Sequence, residues 1–289
     1  MIIKNSFIYQ IDLKDKQMSY LILVRHGQSI WNLEKKFTGW VDVDLTENGK
    51  LEAKKAGHLI KNKKINIDLY YSSLQSRAKN TLKLIQEILE DKKNSETAWQ
   101  LNERHYGALT GLNKDEMKAK LGEDKVHQFR RSWDLKPDPL DKGNPNHPTN
   151  IEIYKEIPVN QIPDTESLKD TYERVLNFYK KDIENKIVSN NILISAHGNS
   201  IRALCKYLFK LDENQISKLE IPTGNPLLIT LDGNKKITDC KYLFKLDENQ
   251  ISKLEIPTGN PLLINLDKEK KITDCKYLDN ERAKDLLVF

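Results

Sequence analysis

The segment Cys205 to Asp239 recurs as Cys240 to Asp274, 35 residues further on, with differences only at Thr230/Asn265, Gly233/Lys268 and Asn234/Glu269. Two copies do not make a solenoid, because stacked repeats need roughly three or more units and caps to bury a continuous core. The segment therefore reads as one piece of a domain written twice. Setting one copy aside leaves 254 of the 289 residues. The first 17 residues alternate apolar and charged side chains and lack the compact apolar stretch and small-residue cleavage site of a secretory signal. They read as an N-terminal extension (1–17), followed by a single domain (18–289) of ordinary α/β size. The repeat also accounts for the three cysteines, since Cys205, Cys240 and Cys275 are one position met three times. Neither a disulfide ladder nor a zinc pair is implied, and a reducing, cytoplasmic setting fits.

Charge and hydropathy exclude further classes. Lys+Arg 47 against Asp+Glu 42 gives a net charge of +5 spread along the chain, without the clustered stripe of a nucleic-acid binder. The longest apolar runs, Leu21 to Val24 and Ile192 to Ile194, fall far short of the ~20 residues of a membrane span.

Hydrophobic periodicity alternates between strand and helix. Leu21 to Val24 reads as a strand buried on both faces, ending in Arg25-His26-Gly27. Thr46 can cap a helix carrying Ala53, Ala56, Leu59 and Ile60. A second strand over Ile67 to Tyr71 leads into a helix with Ala78, Thr81, Leu82, Ile85 and Leu89 at helical spacing. The segment from Asn102 to Pro163 breaks the rhythm. It holds a short helical pattern near Met117 to Leu121 and then six of the ten prolines, so it reads as an insertion (102–163) able to act as a lid. An amphipathic helix (Leu168, Tyr172, Val175, Leu176, Tyr179, Ile183) precedes another apolar strand, Ile192 to Ala196, which ends in His197-Gly198-Asn199 and a further helix. Such alternation predicts a mainly parallel sheet covered by helices, a three-layer α/β/α fold with its ligand crevice at the carboxyl ends of the strands.

Arg-His-Gly alone is weak evidence, because a lone histidine at a strand end is more often a hydrogen-bonded surface residue than a nucleophile. Its company changes that. Two strands end in His-Gly, and Arg77 opens a helix after a third. Two imidazoles, two guanidiniums and an amide converging on one crevice suit a phosphoryl group, whose oxygens match the fork of arginine. Helix starts after His197 and near Arg77 add positive dipole ends. Arg130-Arg131 would, by themselves, read as a solvated pair on a helix, and Thr38-Gly39 as an ordinary turn. His58, His127 and His147 have no such setting, and His105 counts only within its motif.

These residues resemble the histidine phosphatase superfamily and, within it, the 2,3-bisphosphoglycerate-dependent phosphoglycerate mutases. The stretches that carry the likeness are LILVRHGQSIWN (21–32), FTGWVDVDLT (37–46), SSLQSRAKNT (72–81), LNERHYGALTGLNK (101–114), RRSWDLKP (130–137), TESL (165–168) and HGNSIRAL (197–204), with Pro222-Thr223-Gly224 in the duplicated unit. The likeness runs from about Met18 to the C-terminus apart from one repeat copy. It implies a phosphoglycerate mutase-like fold, metal-independent catalysis, and interconversion of 2-phosphoglycerate and 3-phosphoglycerate, a step of glycolysis and gluconeogenesis, with 2,3-bisphosphoglycerate as primer. His26 would take the phosphoryl group as phosphohistidine. Arg25, Arg77 and His197 would neutralise its charge, and Glu103 would exchange protons with the substrate hydroxyl. Asn32, Thr38, Gly39, Arg104, Tyr106, Lys114, Arg130, Arg131, Gly198 and Asn199 would bind the substrate. The partners implied are small phosphorylated three-carbon acids, with a homo-oligomer, dimer or tetramer, left open. Two other functions remain: a phosphatase using water as acceptor on the same pocket, and an inactive binding homologue should the duplication disrupt the site. For the repeat, the expectation is that the first copy (205–239) docks, since it closes the shorter loop, and that the second (240–274) is an appended helix and hairpin.

Overall fold

The computed structural model describes residues 18–244 and the strand segments 262–266 and 272–277. The N-terminal extension (1–17) and the helix expected in the second repeat copy lie outside the described residues. In chain order the elements are β1 (Ser19–Arg25), α1 (Ile30–Leu33), α2 (Glu47–Lys61), β2 (Leu69–Ser72), α3 (Ser76–Leu89), β3 (Ser95–Thr97), α4 (Lys114–Leu121), α5 (Glu123–Arg131), α6 (Leu168–Phe178), β4 (Ile192–Ala196), α7 (Gly198–Phe209), α8 (Glu213–Lys218), β5 (Leu227–Leu231), β6 (Ile237–Tyr242), β7 (Leu262–Leu266) and β8 (Ile272–Tyr277). Contacts divide the chain into two units, one ending at Leu243 and the other beginning at Phe244.

In the first unit six strands form one sheet in the order β3-β2-β4-β1-β5-β6. β3, β2, β4 and β1 run parallel, and β5 and β6 add an antiparallel edge. The sheet is thus mainly parallel, as the alternation of strand and helix predicts. β1 lies inside it, so its four apolar residues are buried whichever way they point. Leu21 and Leu23 pack with Val175 of α6 and Ile201 and Leu204 of α7, while Ile22 and Val24 pack with Ala56 and Ile60 of α2 and Leu82 and Ile85 of α3. That division of odd and even residues is the three-layer α/β/α architecture. At about 1.5–3 kcal/mol for each fully buried aliphatic side chain, β1 is a principal contributor to the core.

Local signals set several boundaries. Thr46 caps α2, its side chain accepting from the Gly49 N–H at 3.0 Å, and Ser167 and Asp170 form a capping box at the start of α6. The second strand is displaced from the expected Ile67 to Tyr71: Ile67 is buried but precedes the ladder, which begins at Leu69 and extends to Ser72. The amphipathic pattern through Ile183 continues past α6 as a π-helical turn over Tyr179–Ile183. β3 carries only exposed residues, Ser95, Glu96 and Thr97, and has no apolar pattern to announce it.

The first repeat copy supplies α8, β5 and the first half of β6, whose last residues, Cys240 to Tyr242, open the second copy, and β5 pairs with β1. In the second unit β7 and β8 form a separate antiparallel hairpin. The two hairpins share one register, including an irregularity after Thr230 and after Asn265.

Candidate active site

The site begins with a register. Arg25 at the end of β1 sits opposite Ala196 at the end of β4, and the His26 N–H donates to the Ala196 carbonyl at 3.0 Å. The next residue on each strand is a histidine, so the rings of His26 and His197 meet with centroids 5.0 Å apart. Ser72 is likewise paired with Ser195, which brings Ser73 to the same strand end, 2.7 Å from His197 Nε2.

His26 Nδ1 lies 2.7 Å from the Gly27 carbonyl. A carbonyl only accepts, so Nδ1 carries the proton and Nε2 keeps its lone pair. Burial, reinforced by Arg77 and Arg25, holds this imidazole well below the usual histidine range, so it is neutral at pH 7. His197 is lowered in the same way by burial, Arg77 and His26. Its Nδ1 is buried without a hydrogen-bond partner among the described residues.

The remaining groups arrive from several segments. Arg77, in the first turn of α3, donates to the carbonyls of Val41 and Gly39, both at 2.9 Å. Arg25 donates to the Ile221 carbonyl at 2.8 Å, while its Nε has no hydrogen-bond partner among the described residues. Glu103 accepts from the N–H of Arg104 at 2.8 Å and from that of Asn199 at 3.2 Å, the latter an N–H that the start of α7 leaves free. Asn32 spends its side-chain oxygen on the Ser29 N–H and closes the cap of α1. Lys114 donates to the Lys36 carbonyl at 2.6 Å, and burial followed by Arg130 and Arg25 lowers its pKa to about 8. One terminal nitrogen of Arg131 donates to both carboxylate oxygens of Glu220 in the first repeat copy, at 2.6 and 2.9 Å.

Together these residues line a cleft of about 590 Å³, part of it open to solvent: Arg25, His26, Asn32, Thr38, Gly39, Arg77, Glu103, Tyr106, Lys114, Arg130, Arg131, Gly198, Asn199 and Arg202. Six side chains are cationic and one is a carboxylate. Of the residues singled out in the sequence, His197 and Arg104 are fully buried and are not among the lining residues. None of the three guanidinium nitrogens of Arg104 has a hydrogen-bond partner among the described residues. Orphaned guanidinium donors at Arg25 and Arg104 fit an anion, which would accept from them without a proton of its own. No group of three or more His, Cys, Asp or Glu suited to a metal ion occurs among the described residues. Residues 102–163 provide five of the lining residues, Glu103, Tyr106, Lys114, Arg130 and Arg131.

Four supporting residues escaped the sequence analysis. Gln75 donates to the Gly39 carbonyl at 2.9 Å and accepts from the Glu103 N–H at 2.9 Å, tying two cleft segments together. Arg174, paired with Glu166 at 2.6 Å, also donates to the carbonyls of Gln100, Asn102 and Glu103. Ser73 and Arg202 complete the set. Arg202 alone had a legible signal, lying three residues after Asn199 on one helix and hence beside it. His147, left without a role by the sequence, is buried and bonded to Thr149 and Asp164.

A three-layer sheet with two histidines at adjacent strand ends below an arginine-rich cleft is a recognisable class. Residues 21–145 and 139–241 match the profile of the histidine phosphatase superfamily (branch 1). A putative alpha-ribazole-5′-P phosphatase from Escherichia coli superposes with a TM-score of 0.59 at 18% identity, covering 78% of this chain and 96% of that one. A mycobacterial glucosyl-3-phosphoglycerate phosphatase complexed with VO3 superposes at 0.56 with 21% identity, covering 73% and 92%. These likenesses show the fold. In sequence, the 2,3-bisphosphoglycerate-dependent phosphoglycerate mutase of Pelagibacter ubique is 72% identical over 210 residues, 72% of this chain and 88% of that protein. The mutase of the same description from Hamiltonella defensa is 47% identical over 208 residues, 71% of this chain and 84% of that protein. The chain belongs to the 2,3-bisphosphoglycerate-dependent phosphoglycerate mutase family of the histidine phosphatase superfamily.

Proposed function

We propose that the protein interconverts 2-phosphoglycerate and 3-phosphoglycerate in the cytoplasm by way of a phosphohistidine at His26, primed by 2,3-bisphosphoglycerate and without a metal. The observation that carries this is the Gly27 carbonyl on His26 Nδ1, which leaves Nε2 unprotonated inside a cationic cleft. Nε2 bonds to phosphorus as the bond from phosphorus to the departing oxygen breaks, and that oxygen takes its proton from the Glu103 carboxyl. In the return step the Glu103 carboxylate accepts the proton of the attacking hydroxyl, and the N–P bond breaks. Nδ1–H stays on the Gly27 carbonyl throughout.

Arg25 and Arg77 neutralise the charge that gathers on the phosphoryl oxygens, while His197, Asn32 and the backbone at Gly198 add hydrogen-bond donors. Removing one such preorganised donor typically costs about 10²–10³ in kcat. Thr38, Gly39, Arg104, Tyr106, Lys114, Arg130, Arg131 and Asn199 hold the carboxylate and the second phosphate. Six cations around one carboxylate favour a ligand carrying more than one anionic group over a monophosphate.

A coupled assay separates this from hydrolysis. With catalytic 2,3-bisphosphoglycerate and a chelator present, 3-phosphoglycerate should yield 2-phosphoglycerate far faster than inorganic phosphate. Phosphate release alone would make the protein a phosphatase, and neither product would leave only a binding role.

A further inference from the structure

Arg202 lines the cleft and is buried, yet none of the steps above uses it. Its Nε donates to the Leu219 carbonyl at 3.0 Å, and one terminal nitrogen donates to Asn199 Oδ1 at 2.7 Å. A guanidinium has no acceptor, so Asn199 must turn its amide oxygen toward Arg202 and its NH₂ the other way. That NH₂ donates to the Tyr106 hydroxyl at 3.0 Å. An amide NH₂ also only donates, so Tyr106 receives this bond on its oxygen and its own proton must point elsewhere.

We propose that Arg202 is a positioning residue that sets the direction of the chain Arg202 to Asn199 to Tyr106, so that Tyr106 meets the ligand as a hydrogen-bond donor. The proposal rests on the reading of the cleft as a site for a phosphorylated acid. Asn199 reads the same with its oxygen and nitrogen exchanged except for what its neighbours demand. Without Arg202 the amide can turn over, Tyr106 can donate to Asn199, and a lone pair then faces the cleft where an anion must sit. Hydrogen bonds to charged groups carry about a ten- to hundredfold effect on affinity, so the direction of this one bond is worth that much to an anionic ligand.

A double-mutant cycle on binding of 2,3-bisphosphoglycerate, measured by calorimetry, tests this. Tyr106→Phe in the otherwise native chain should weaken binding roughly ten- to hundredfold. In the Arg202→Met background it should weaken binding by less than about threefold, and Arg202→Lys, which still donates, should restore most of the coupling. Asn199→Asp, which accepts on both sides and so captures the Tyr106 proton, should abolish the coupling as Arg202→Met does. Additive effects in both backgrounds would overturn the proposal, because a residue contributing only charge would leave the effect of Tyr106→Phe unchanged. Should the native protein bind no bisphosphoglycerate, the functional reading fails, and the Asn199 side-chain amide protons still decide the inference. Their NMR shifts must move in Arg202→Met as well as in Tyr106→Phe, and unchanged shifts in Arg202→Met would contradict it.

Discussion

Lys114 illustrates how a single residue couples burial to function. Its ammonium is held among Arg130 and Arg25, and its pKa falls from 10.5 to about 8. In the free protein it therefore loses its proton as pH rises through about 8, whereas a bound anion favours the charged form and draws the pKa up. Affinity for a phosphorylated acid should accordingly decline above about pH 8. In Lys114→Arg, whose guanidinium stays charged, that decline should vanish, and a titration of Kd against pH for the two chains checks it. His26 gives a second expectation at this scale. His26→Gln keeps an amide in place of the ring but offers no nucleophilic nitrogen, and no phosphoenzyme should form by acid-labile phosphate assay. Cleft residues of this kind are legible in sequence because each belongs to a short motif next to an element boundary. Gln75 and Arg174 are not, since their work is to bond carbonyls of segments far away in the chain, which composition and spacing do not encode.

At the scale of elements, β1 and β4 are legible because an unbroken apolar run can only be satisfied by burial on both faces. The tetrapeptide Cys-Lys-Tyr-Leu shows where that legibility ends. At Cys205 it is the last part of α7, with Cys205 fully buried, whereas Cys240 to Tyr242 closes strand β6. Identical residues take either form, so tertiary context decides: the first follows a capped helix start at Gly198, and the second pairs with β5. A tighter constraint lies where β1 turns into the site. A Cβ on Gly27 would fall 2.1 Å from the Gly49 carbonyl oxygen, and one on Gly49 would fall 2.0 Å from that of Gln28. Gly49→Ala would gain up to about 1 kcal/mol in helix propensity. Forcing backbone apart in a packed site costs about 1–3 kcal/mol or more, so the clash should win. The expected outcome is a melting temperature several degrees lower, together with slower phosphorylation of His26.

For the whole molecule, the repeat raises the question of which copy the sheet accepts. Residues of the first copy hold the site: the Ile221 carbonyl fixes Arg25, Glu220 pairs with Arg131, and the Gly224 N–H donates to the Arg25 carbonyl at 3.0 Å. Thr230 is nearly buried opposite Tyr20 on β1, a place where the second copy would offer Asn265. A β-branched threonine suits that position better than an amide left short of partners. Thr230→Asn should therefore lower stability by about 1 kcal/mol in thermal unfolding. Deleting Cys240–Asp274, which still leaves Cys275 to Tyr277 to end the hairpin, should change kcat by less than about twofold if the second copy has no part in catalysis. Incubation with 2,3-bisphosphoglycerate labelled in the transferable phosphoryl group, followed by peptide mapping and ³¹P NMR, should place acid-labile phosphate on Nε2 of His26. Label on Nδ1, on another residue, or on none would contradict the account.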